Sequence, residues 1–338
     1  MIDGIPEDKR PALDSALRTV FGRPRYDTIA AVAGGLSGSG VWRLGVGVGS
    51  YLLKLEAPAD GFHDPARQYA CLKLAAEAGV APELLHADAE AGLSISCWVE
   101  ARPLADHPGG RRAILKEMAK LVRRLQATPA FPPLVDFFEG VSQLVARTQA
   151  LGLADAAQIA EPLERLAEIA EDWRPGQAEP VSSHNDLNPR NVISDGRRLW
   201  LVDWGAAFRN DPWVDVAVSA NFFASSEDEA EGLLQAYLGA PADAAARARF
   251  ELMRQTCRLY YGVLILASAA GSGAGLRPGA GWSEASPLSE VQSALGSGRM
   301  SMDTPDGRFG YGAALIGEML RQCHTPGHQR ALEVVAGG

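Results

Sequence analysis

The chain is poor in the features that mark exported, membrane-spanning or disulfide-rich proteins. It has 4 cysteines in 338 residues, and none of them forms a Cys-x-x-Cys pair, so neither a disulfide framework nor a zinc ribbon is indicated. Its acidic N-terminus lacks the positive start and apolar run of a signal peptide. The most apolar stretch, residues 260–270, is too short to span a bilayer and predicts a buried helix. We therefore expect a cytoplasmic protein with reduced thiols and no membrane partner.

Positive charge is also scarce. Lysine and arginine together number 32 against 41 acidic residues, which gives a formal net charge of -9. Binding to a nucleic-acid backbone needs a basic surface, so no nucleic-acid partner is expected. An acidic surface is compatible with a cationic small molecule, although it more often serves solubility. The hydrophobic share of 47% fits a globular protein with a core.

The character of the sequence changes near residue 100. Before it, five short strands and a helix over 64–78 predict a small α+β lobe, preceded by a helix over 11–20. After it, apolar residues recur at three- and four-residue steps, which is typical of helices. We expect a nucleotide-binding lobe over 1–99 and a helical lobe over 100–338. The predicted strands cover 28–32, 41–44, 51–55, 84–87 and 93–99. The predicted helices of the second lobe cover 111–126, 135–151, 154–172, 214–223, 227–238, 242–269 and 313–321.

Two later segments predict irregular structure. Residues 271–310 are rich in Gly, Ser and Pro, and only a short passage near 289–295 has a helical pattern. A loop of that length is either a mobile substrate loop or disordered. Residues 323–328 read CHTPGH and contain metal-ligating side chains. Because Pro326 and Gly327 interrupt any helix and a fourth ligand is missing, a surface tail is the expectation there.

Residues 181–215 hold the densest group of polar side chains. Two apolar strands surround Asp195 and Gly196, a favoured pair for a tight turn, and so predict a β-hairpin. A hairpin brings its two ends together, which places Asn191 at the start of the first strand beside Asp203 at the end of the second. An amide oxygen and a carboxylate are suitable ligands for Mg²⁺. The hairpin therefore predicts a magnesium site.

Three further features point to phosphate chemistry. Asp186 lies in a loop shortened by Pro189, where a carboxylate can orient an attacking hydroxyl and accept its proton. The glycine-rich segment 34–40 either lets backbone N–H groups approach a phosphate or is a plain hairpin turn. It lacks the Lys-Ser or Lys-Thr pair of a P-loop. Lys54 stands in an apolar strand, so it either faces water at an edge or is a buried charge that needs an anion.

These motifs resemble those of one enzyme superfamily. Residues 184–191, HNDLNPRN, resemble the HxDxxxxN catalytic loop of the aminoglycoside phosphotransferase and choline kinase superfamily, relatives of the eukaryotic protein kinases. Residues 201–205, LVDWG, resemble its metal-binding segment. Residues 211–217, DPWVDVA, are similar to its DPxxDLA segment, whose last aspartate is structural and here is Asp215. Three linked motifs in this order are a specific signal.

The resemblance implies a two-lobed, protein-kinase-like α+β fold with a small antiparallel sheet in the first lobe and a mostly helical second lobe. It implies a kinase that uses ATP and Mg²⁺ to phosphorylate a hydroxyl of a small molecule. Asp186 would orient the acceptor, Asn191 and Asp203 would hold the metal, and Lys54 would position the nucleotide phosphates. The other implied nucleotide contacts come from the glycine-rich turn and from the strand before the hinge: Ser37, Gly38, Ser39, Ser96, Trp98 and Val99.

Two departures from the family pattern affect the interpretation. Gln68 stands where the family usually has a glutamate that pairs with the lysine. Gly205 stands where choline kinases tend to carry an acidic residue, which favours the broader aminoglycoside-phosphotransferase-like group. An aminoglycoside, an amino alcohol or a sugar all remain candidate acceptors. Nothing in the sequence predicts an oligomeric state.

Two other classes of function are consistent with parts of the pattern. A nucleotide-binding pseudokinase with a scaffold or sensor role would explain Gln68, but it would not need the catalytic residues that the chain retains. A metal-dependent hydrolase would use His184, Asp186 and Asp203, but it leaves Lys54 unexplained. In loops of this kind, however, histidine usually braces the backbone by hydrogen bonding, and the same role is expected for Asp215.

Overall fold

A computed structural model describes residues 4–32, 40–57, 59, 62–174, 178–270 and 281–337. The predicted phosphate-binding residues Ser37, Gly38 and Ser39 lie outside the described residues. The described residues form one five-stranded sheet, two two-stranded sheets and a series of α-helices. The strands are β1 (Thr28–Ala31), β2 (Gly40–Val46), β3 (Gly49–Leu55), β4 (Leu84–Asp88), β5 (Leu93–Cys97), β6 (Val181–Ser183), β7 (Val192–Ser194), β8 (Leu199–Leu201) and β9 (Phe208–Asn210).

The helices agree with the sequence periodicity over most of the chain, and their ends move by a few residues. They are α1 (Arg10–Phe21), α2 (Pro65–Glu77), α3 (Gly110–Gln126), α4 (Phe137–Ala150), α5 (Ala156–Trp173), α6 (Trp213–Phe223), α7 (Glu227–Leu238), α8 (Ala244–Ala267), α9 (Leu288–Gly296), α10 (Pro305–Cys323) and α11 (Pro326–Ala336). No helix within the described residues is both long and apolar enough to cross a membrane. All four cysteines are free thiols.

The first five strands form one antiparallel sheet in the order β1-β2-β3-β5-β4. Alternate residues of each strand point to opposite faces. One face carries Leu44, Leu53 and Ile95, which pack in one buried cluster with Leu13 and Leu17 of α1. The opposite face carries Lys54, which is paired in register with Val41 and Ser94. The sheet therefore buries its apolar side under a helix and presents the lysine on the other.

The chain divides into two compact units. The first comprises the described residues of Met1–Leu134, Pro180–Asp215 and Phe222–Tyr237. The second comprises those of Val135–Glu179, Val216–Asn221 and Leu238–Gly338. The first unit thus contains the five-stranded sheet together with the polar segment 181–215. A lobe boundary between residues 99 and 100 stays a prediction.

The predicted hairpin is formed by β7 and β8. Val192 pairs with Leu201 and Ser194 pairs with Leu199. The Asp195 side chain accepts hydrogen bonds from the backbone N–H groups at 197 and 198, at 2.8 and 2.9 Å. Gly196 adopts a φ of 85°, a left-handed conformation that glycine reaches without steric cost. Asp195 and Gly196 therefore stabilise the turn in the way that the sequence predicted.

The expected irregular segment is shorter than predicted. Within its described part, residues 288–296 form α9, which confirms the helical passage predicted near 289–295, but α10 begins at Pro305 instead of near residue 313. The misleading signal was glycine. Gly312, which precedes the predicted start of the last helix, belongs to α10 and lies against Gly262 of α8, where a Cβ atom at 312 would come within 2.8 Å of the Gly262 carbonyl oxygen. Glycine is needed there for close helix packing, so it does not mark a loop.

The prediction of a surface tail after residue 323 is wrong. Residues 326–336 form α11, and Pro326 is the first residue of that helix. A proline at this position removes only an N–H that has no partner within the helix, and its fixed φ suits the helix start. The Thr325 hydroxyl accepts a hydrogen bond from the His328 N–H at 3.2 Å and caps the helix.

Candidate active site

Lys54 lies in a cluster of charges on the face of the sheet that is opposite to α1, here called the inner face. Its Nζ is 3.0 Å from Asp203 Oδ1 and 3.0 Å from Glu56 Oε1. The Lys54 side chain is only 15% exposed and that of Glu56 only 7%. Of the two readings of Lys54, the structure therefore supports a largely buried charge with anionic partners.

Lys54 and Asp203 hold each other in their charged forms. Burial alone would lower the pKa of Lys54, but the Asp203 and Glu56 carboxylates raise it above its usual value. Burial also opposes ionisation of Asp203, yet the Lys54 ammonium holds the pKa of Asp203 below its usual value. Lys54 is therefore an ammonium and Asp203 a carboxylate at neutral pH. One ammonium beside two acidic side chains leaves one negative charge in excess.

Asp203 follows the hairpin in a conformation that few residues adopt. It has a φ of 63°, and among the described residues the only other non-glycine residue with positive φ is Asn185, at 64°. Such a conformation costs about 1–2 kcal/mol, and it persists only where the surroundings fix it. The next side chain, Trp204, is buried and packs against His184 with ring centroids 4.6 Å apart. Both strained residues therefore belong to the candidate site.

Two amide side chains hold the Asp186 carboxylate. Asn188 Nδ2 donates to Asp186 Oδ1 at 2.9 Å, and Asn191 Nδ2 donates to Asp186 Oδ2 at 2.8 Å. Each carboxylate oxygen can accept more than one hydrogen bond. Asp186 is thus held in one orientation by the two amide groups. Sequence reasoning missed Asn188, and its position two residues after the aspartate was the available signal.

Asn191 connects Asp186 to the end of the hairpin. Its Nδ2 also donates to the Asp186 backbone oxygen at 2.9 Å, and its own backbone oxygen accepts from the Val202 N–H at 3.0 Å. The second bond places Asn191 beside the residue that precedes Asp203, as expected for a hairpin. Because Nδ2 is used, Oδ1 is the atom with which Asn191 can bind a cation.

These oxygens fit a hard divalent cation. The Asn191 Oδ1 and the Asp203 carboxylate are of the type that Mg²⁺ prefers, and one or two protein ligands are usual for this ion beside substrate phosphates. The excess negative charge around Lys54 favours a cation as well. The residues present therefore suit Mg²⁺.

His184 and Asp215 brace the loop, as predicted. His184 Nε2 lies 3.0 Å from the Val202 backbone oxygen, and Nδ1 accepts from the Asp186 N–H at 3.3 Å. These partners assign the proton to Nε2. The fully buried Asp215 accepts the N–H groups of His184 and Asn185, each at 2.8 Å. Burial raises the pKa of Asp215 despite these two bonds.

Arg67 of α2 is a buried residue that sequence reasoning missed. Its guanidinium donates to the backbone oxygens of Phe62, Gly205 and Ala207, the bond to Gly205 being 3.0 Å long. Burial lowers the pKa of Arg67. The segment that follows Asp203 is thereby tied to α2. The only local indication was an arginine on the buried side of a predicted helix. Its carbonyl partners could not be predicted, because they depend on tertiary structure.

Replacement of Arg67 by methionine is expected to destabilise the protein. Methionine keeps much of the volume but removes three hydrogen bonds and leaves the Ala207 carbonyl with only the Cys71 thiol as a side-chain donor, so we expect the free energy of unfolding to fall by about 3 kcal/mol. Urea denaturation measures the change. Arg18→Met, at an exposed position of α1, is the matched control. Equal stability of the two variants would show that the Arg67 contacts contribute nothing.

The strand before the hinge has part of its backbone engaged. Ser96 pairs with Leu52 and Leu84 within the sheet. The next two N–H groups are also used, since Cys97 donates to the backbone oxygen of residue 83 at 2.8 Å and Trp98 donates to that of residue 50 at 3.3 Å. Val99, just beyond the end of β5, has no hydrogen bond from its N–H to another described residue.

The Trp98 side chain is held beside the end of β5. The Arg43 guanidinium carbon lies 4.8 Å from the centroid of its ring. Glu100 accepts a hydrogen bond from the Trp98 indole at 3.1 Å and pairs with Arg43 at 3.0 Å. The indole is therefore fixed in place by two charged neighbours.

A lysine on the third strand of a five-stranded sheet, paired with an aspartate after a hairpin, defines the protein-kinase-like class. The adjoining Asp186–Asn191 pair adds the catalytic loop of that class. The predicted α+β, protein-kinase-like fold is thus confirmed. A sequence model of the phosphotransferase enzyme family matches residues 28–250. The chain belongs to this family and is a small-molecule kinase.

Solved structures agree on the fold. A choline/ethanolamine kinase family protein from Mesorhizobium loti is 20% identical, with a TM-score of 0.67 over 98% of this chain and 100% of that one. A choline kinase from Streptococcus pneumoniae is 14% identical, with a TM-score of 0.59 over 98% and 100%. A spectinomycin phosphotransferase, solved with ADP and spectinomycin, is 12% identical, with a TM-score of 0.55 over 96% and 97%. No curated protein matches the chain.

Proposed function

We propose that this kinase transfers the γ-phosphate of ATP, with Mg²⁺, to a hydroxyl group of a small molecule. The observation that carries the proposal is the Lys54–Asp203 ion pair, in the same compact unit as the Asp186–Asn191 hydrogen bond. The first pair supplies a cation for phosphates and a metal ligand, and the second supplies an oriented proton acceptor. Phosphoryl transfer needs these parts for positioning and for charge stabilisation.

Asp186 serves the acceptor. The acceptor hydroxyl donates a hydrogen bond to the carboxylate, whose direction Asn188 and Asn191 fix. As the hydroxyl oxygen forms its bond to the γ-phosphorus, the bond from that phosphorus to the bridging oxygen of ADP breaks. The hydroxyl proton passes to Asp186, and ADP leaves with the electron pair of the broken bond.

Lys54 serves the nucleotide. An ammonium has three N–H donors, and Asp203 and Glu56 engage it from two directions at 3.0 Å. One donor is left for an oxygen of the nucleotide phosphates. A preorganised, desolvated cation of this kind stabilises charge that develops on the transferred group.

Asn191 and Asp203 would hold the magnesium ion through their oxygen atoms. When bound, Mg²⁺ supplies charge neutralisation for the phosphate oxygens. Asp203 is suited to this because the Lys54 ammonium keeps its carboxylate ionised. Asn191 is suited to it because its Nδ2 is committed to Asp186.

The base of the nucleotide is proposed to contact residues 96–99. With the N–H groups of Cys97 and Trp98 used inside the sheet, Val99 is the best candidate to donate to an adenine. Ser96 and Trp98 would form the wall of that site, and Ser37, Gly38 and Ser39 would cover the phosphates. A thermostable mutant of an aminoglycoside phosphotransferase of similar fold, 17% identical with a TM-score of 0.56, was solved with AMP-PNP and hygromycin B. The nucleotides in that structure and in the spectinomycin enzyme support ATP as the donor.

The proposed acceptor is a hydroxyl compound of the aminoglycoside, amino-alcohol or sugar type. The structures of similar fold include choline and ethanolamine kinases and enzymes solved with spectinomycin and hygromycin. Many of these compounds are cations, and the net charge of -9 is compatible with them.

Release of ADP tests the proposal. Purified protein with Mg-ATP is mixed with a library of amino alcohols, aminoglycosides and sugars, and we expect ADP release above the acceptor-free rate for at least one compound. EDTA should abolish that release, because the phosphate charge would lose its counter-ion. Binding of ATP without transfer to any compound would favour the pseudokinase with a scaffold or sensor role. Activity without nucleotide would favour the hydrolase, whose use of His184 is opposed by the backbone partners of both its ring nitrogens.

A further inference from the structure

The partner of Lys54 is not on the helix where the family pattern places it. Gln68 of α2 is buried, but among the described residues its side chain makes no hydrogen bond to Lys54. The second carboxylate beside Lys54 is that of Glu56, two residues further along the chain. We propose that Glu56 is a positioning residue that holds Lys54 for the nucleotide, in place of a helix glutamate. This inference rests on the proposed function.

The position of Glu56 suits this role. Residues two apart in an extended chain lie on the same side, so Glu56 follows Lys54 on the inner face of the sheet. Its N–H donates to the Gly92 backbone oxygen at 2.8 Å, which ties the residue to the adjoining strand. The side chain is 7% exposed, and a carboxylate so buried is stable only with a cationic partner. The Lys54–Glu56 pair is therefore built into the fold of the sheet.

The charge of Glu56 also decides where Lys54 points. With Glu56 and Asp203 on either side, the ammonium is shared between two carboxylates at equal distance, 3.0 Å. Without the Glu56 charge, the anionic partner left to Lys54 among the described residues would be Asp203, which is also the proposed metal ligand. The ammonium would then compete with the metal for that carboxylate, and the nucleotide would lose both contacts together.

A set of four variants tests the role through Mg-ATP affinity, measured by calorimetry, which requires no acceptor. Glu56→Gln removes the charge at nearly constant shape. Gln68→Glu places a carboxylate on α2, near the helix N-terminus where the helix dipole favours it. The double variant moves the charge from strand to helix. Glu90→Gln, at an exposed position between β4 and β5, is the matched control.

We expect Glu56→Gln to weaken Mg-ATP binding about 10- to 100-fold, the usual effect of losing a partner that orients a ligand. Binding is measured below the thermal midpoint of each variant, and the double variant should recover most of the affinity. Affinity of Glu56→Gln within twofold of wild type would overturn the inference. A weakened variant that the second substitution does not rescue would also overturn it, because Glu56 would then be structural. Turnover of the wild type, measured separately, decides the proposed function.

Discussion

Replacement of Asp186 by asparagine is expected to lower the turnover number about 10²- to 10⁴-fold, the range attributed to a general acid–base group. Asparagine keeps the shape of the side chain but cannot accept the proton of the acceptor hydroxyl. Asp186 makes no ion pair with Lys54, whose carboxylate partners are Glu56 and Asp203, so Mg-ATP affinity should stay near the wild-type value. ADP release with the best acceptor measures the turnover number, and calorimetry measures the Mg-ATP affinity.

The division between turnover and affinity makes this result specific. A variant that merely unfolds would lose both quantities, whereas loss of a proton acceptor lowers turnover alone. Asp228→Asn, an exposed aspartate on α7 in the same compact unit, is the control for the chemical change. Turnover of Asp186→Asn within tenfold of wild type would remove Asp186 from the chemistry.

Substitution of Asp203, unlike that of Asp186, should lower the affinity for Mg-ATP. Loss of its carboxylate removes a proposed metal ligand and the Lys54 partner at 3.0 Å. We expect Asp203→Ala to lower Mg-ATP affinity by more than about 100-fold, beyond the effect usual for an outer-shell partner. ATP affinity is measured by calorimetry, once with Mg²⁺ and once with EDTA. In Asp203→Ala the two affinities should be nearly equal, because the variant no longer depends on the metal.

A second substitution separates charge from backbone conformation. The φ of 63° at Asp203 is tolerated better by asparagine than by alanine. Asp203→Asn therefore keeps the conformation and removes only the charge. Full metal-dependent binding by Asp203→Asn would show that the carboxylate charge is not needed, and the proposed role of Asp203 as a charged metal ligand would then be wrong.

Local patterns were sufficient to predict the parts of the site that depend on a hairpin. The apolar strands and the Asp-Gly pair set the register of β7 and β8, and that register alone brings Asn191 next to Val202. The five strands of the first sheet were also predicted from local sequence, whereas their arrangement as a small antiparallel sheet was implied by the family resemblance. The position of Lys54 on the inner face is a consequence of period two in β3.

Contacts that depend on distant segments could not be predicted. Glu56 was overlooked because the resemblance directed attention to α2, and only the folded chain shows which carboxylate reaches the ammonium. The three carbonyl partners of Arg67 come from two separate segments. The predicted last helix left out Gly312, since the need for glycine there comes from the close approach of Gly262 on another helix.

The most direct test follows the phosphate itself. Wild-type protein and Asp186→Asn are each incubated with Mg²⁺, ATP labelled in its γ-phosphate and the acceptor found by ADP release, and the products are separated. The mechanism predicts label in the small-molecule product of the wild type and almost none in that of the variant, although both bind Mg-ATP. Label found only in inorganic phosphate would contradict this mechanism. Equal labelling of the small-molecule product by the wild type and by Asp186→Asn would contradict it as well.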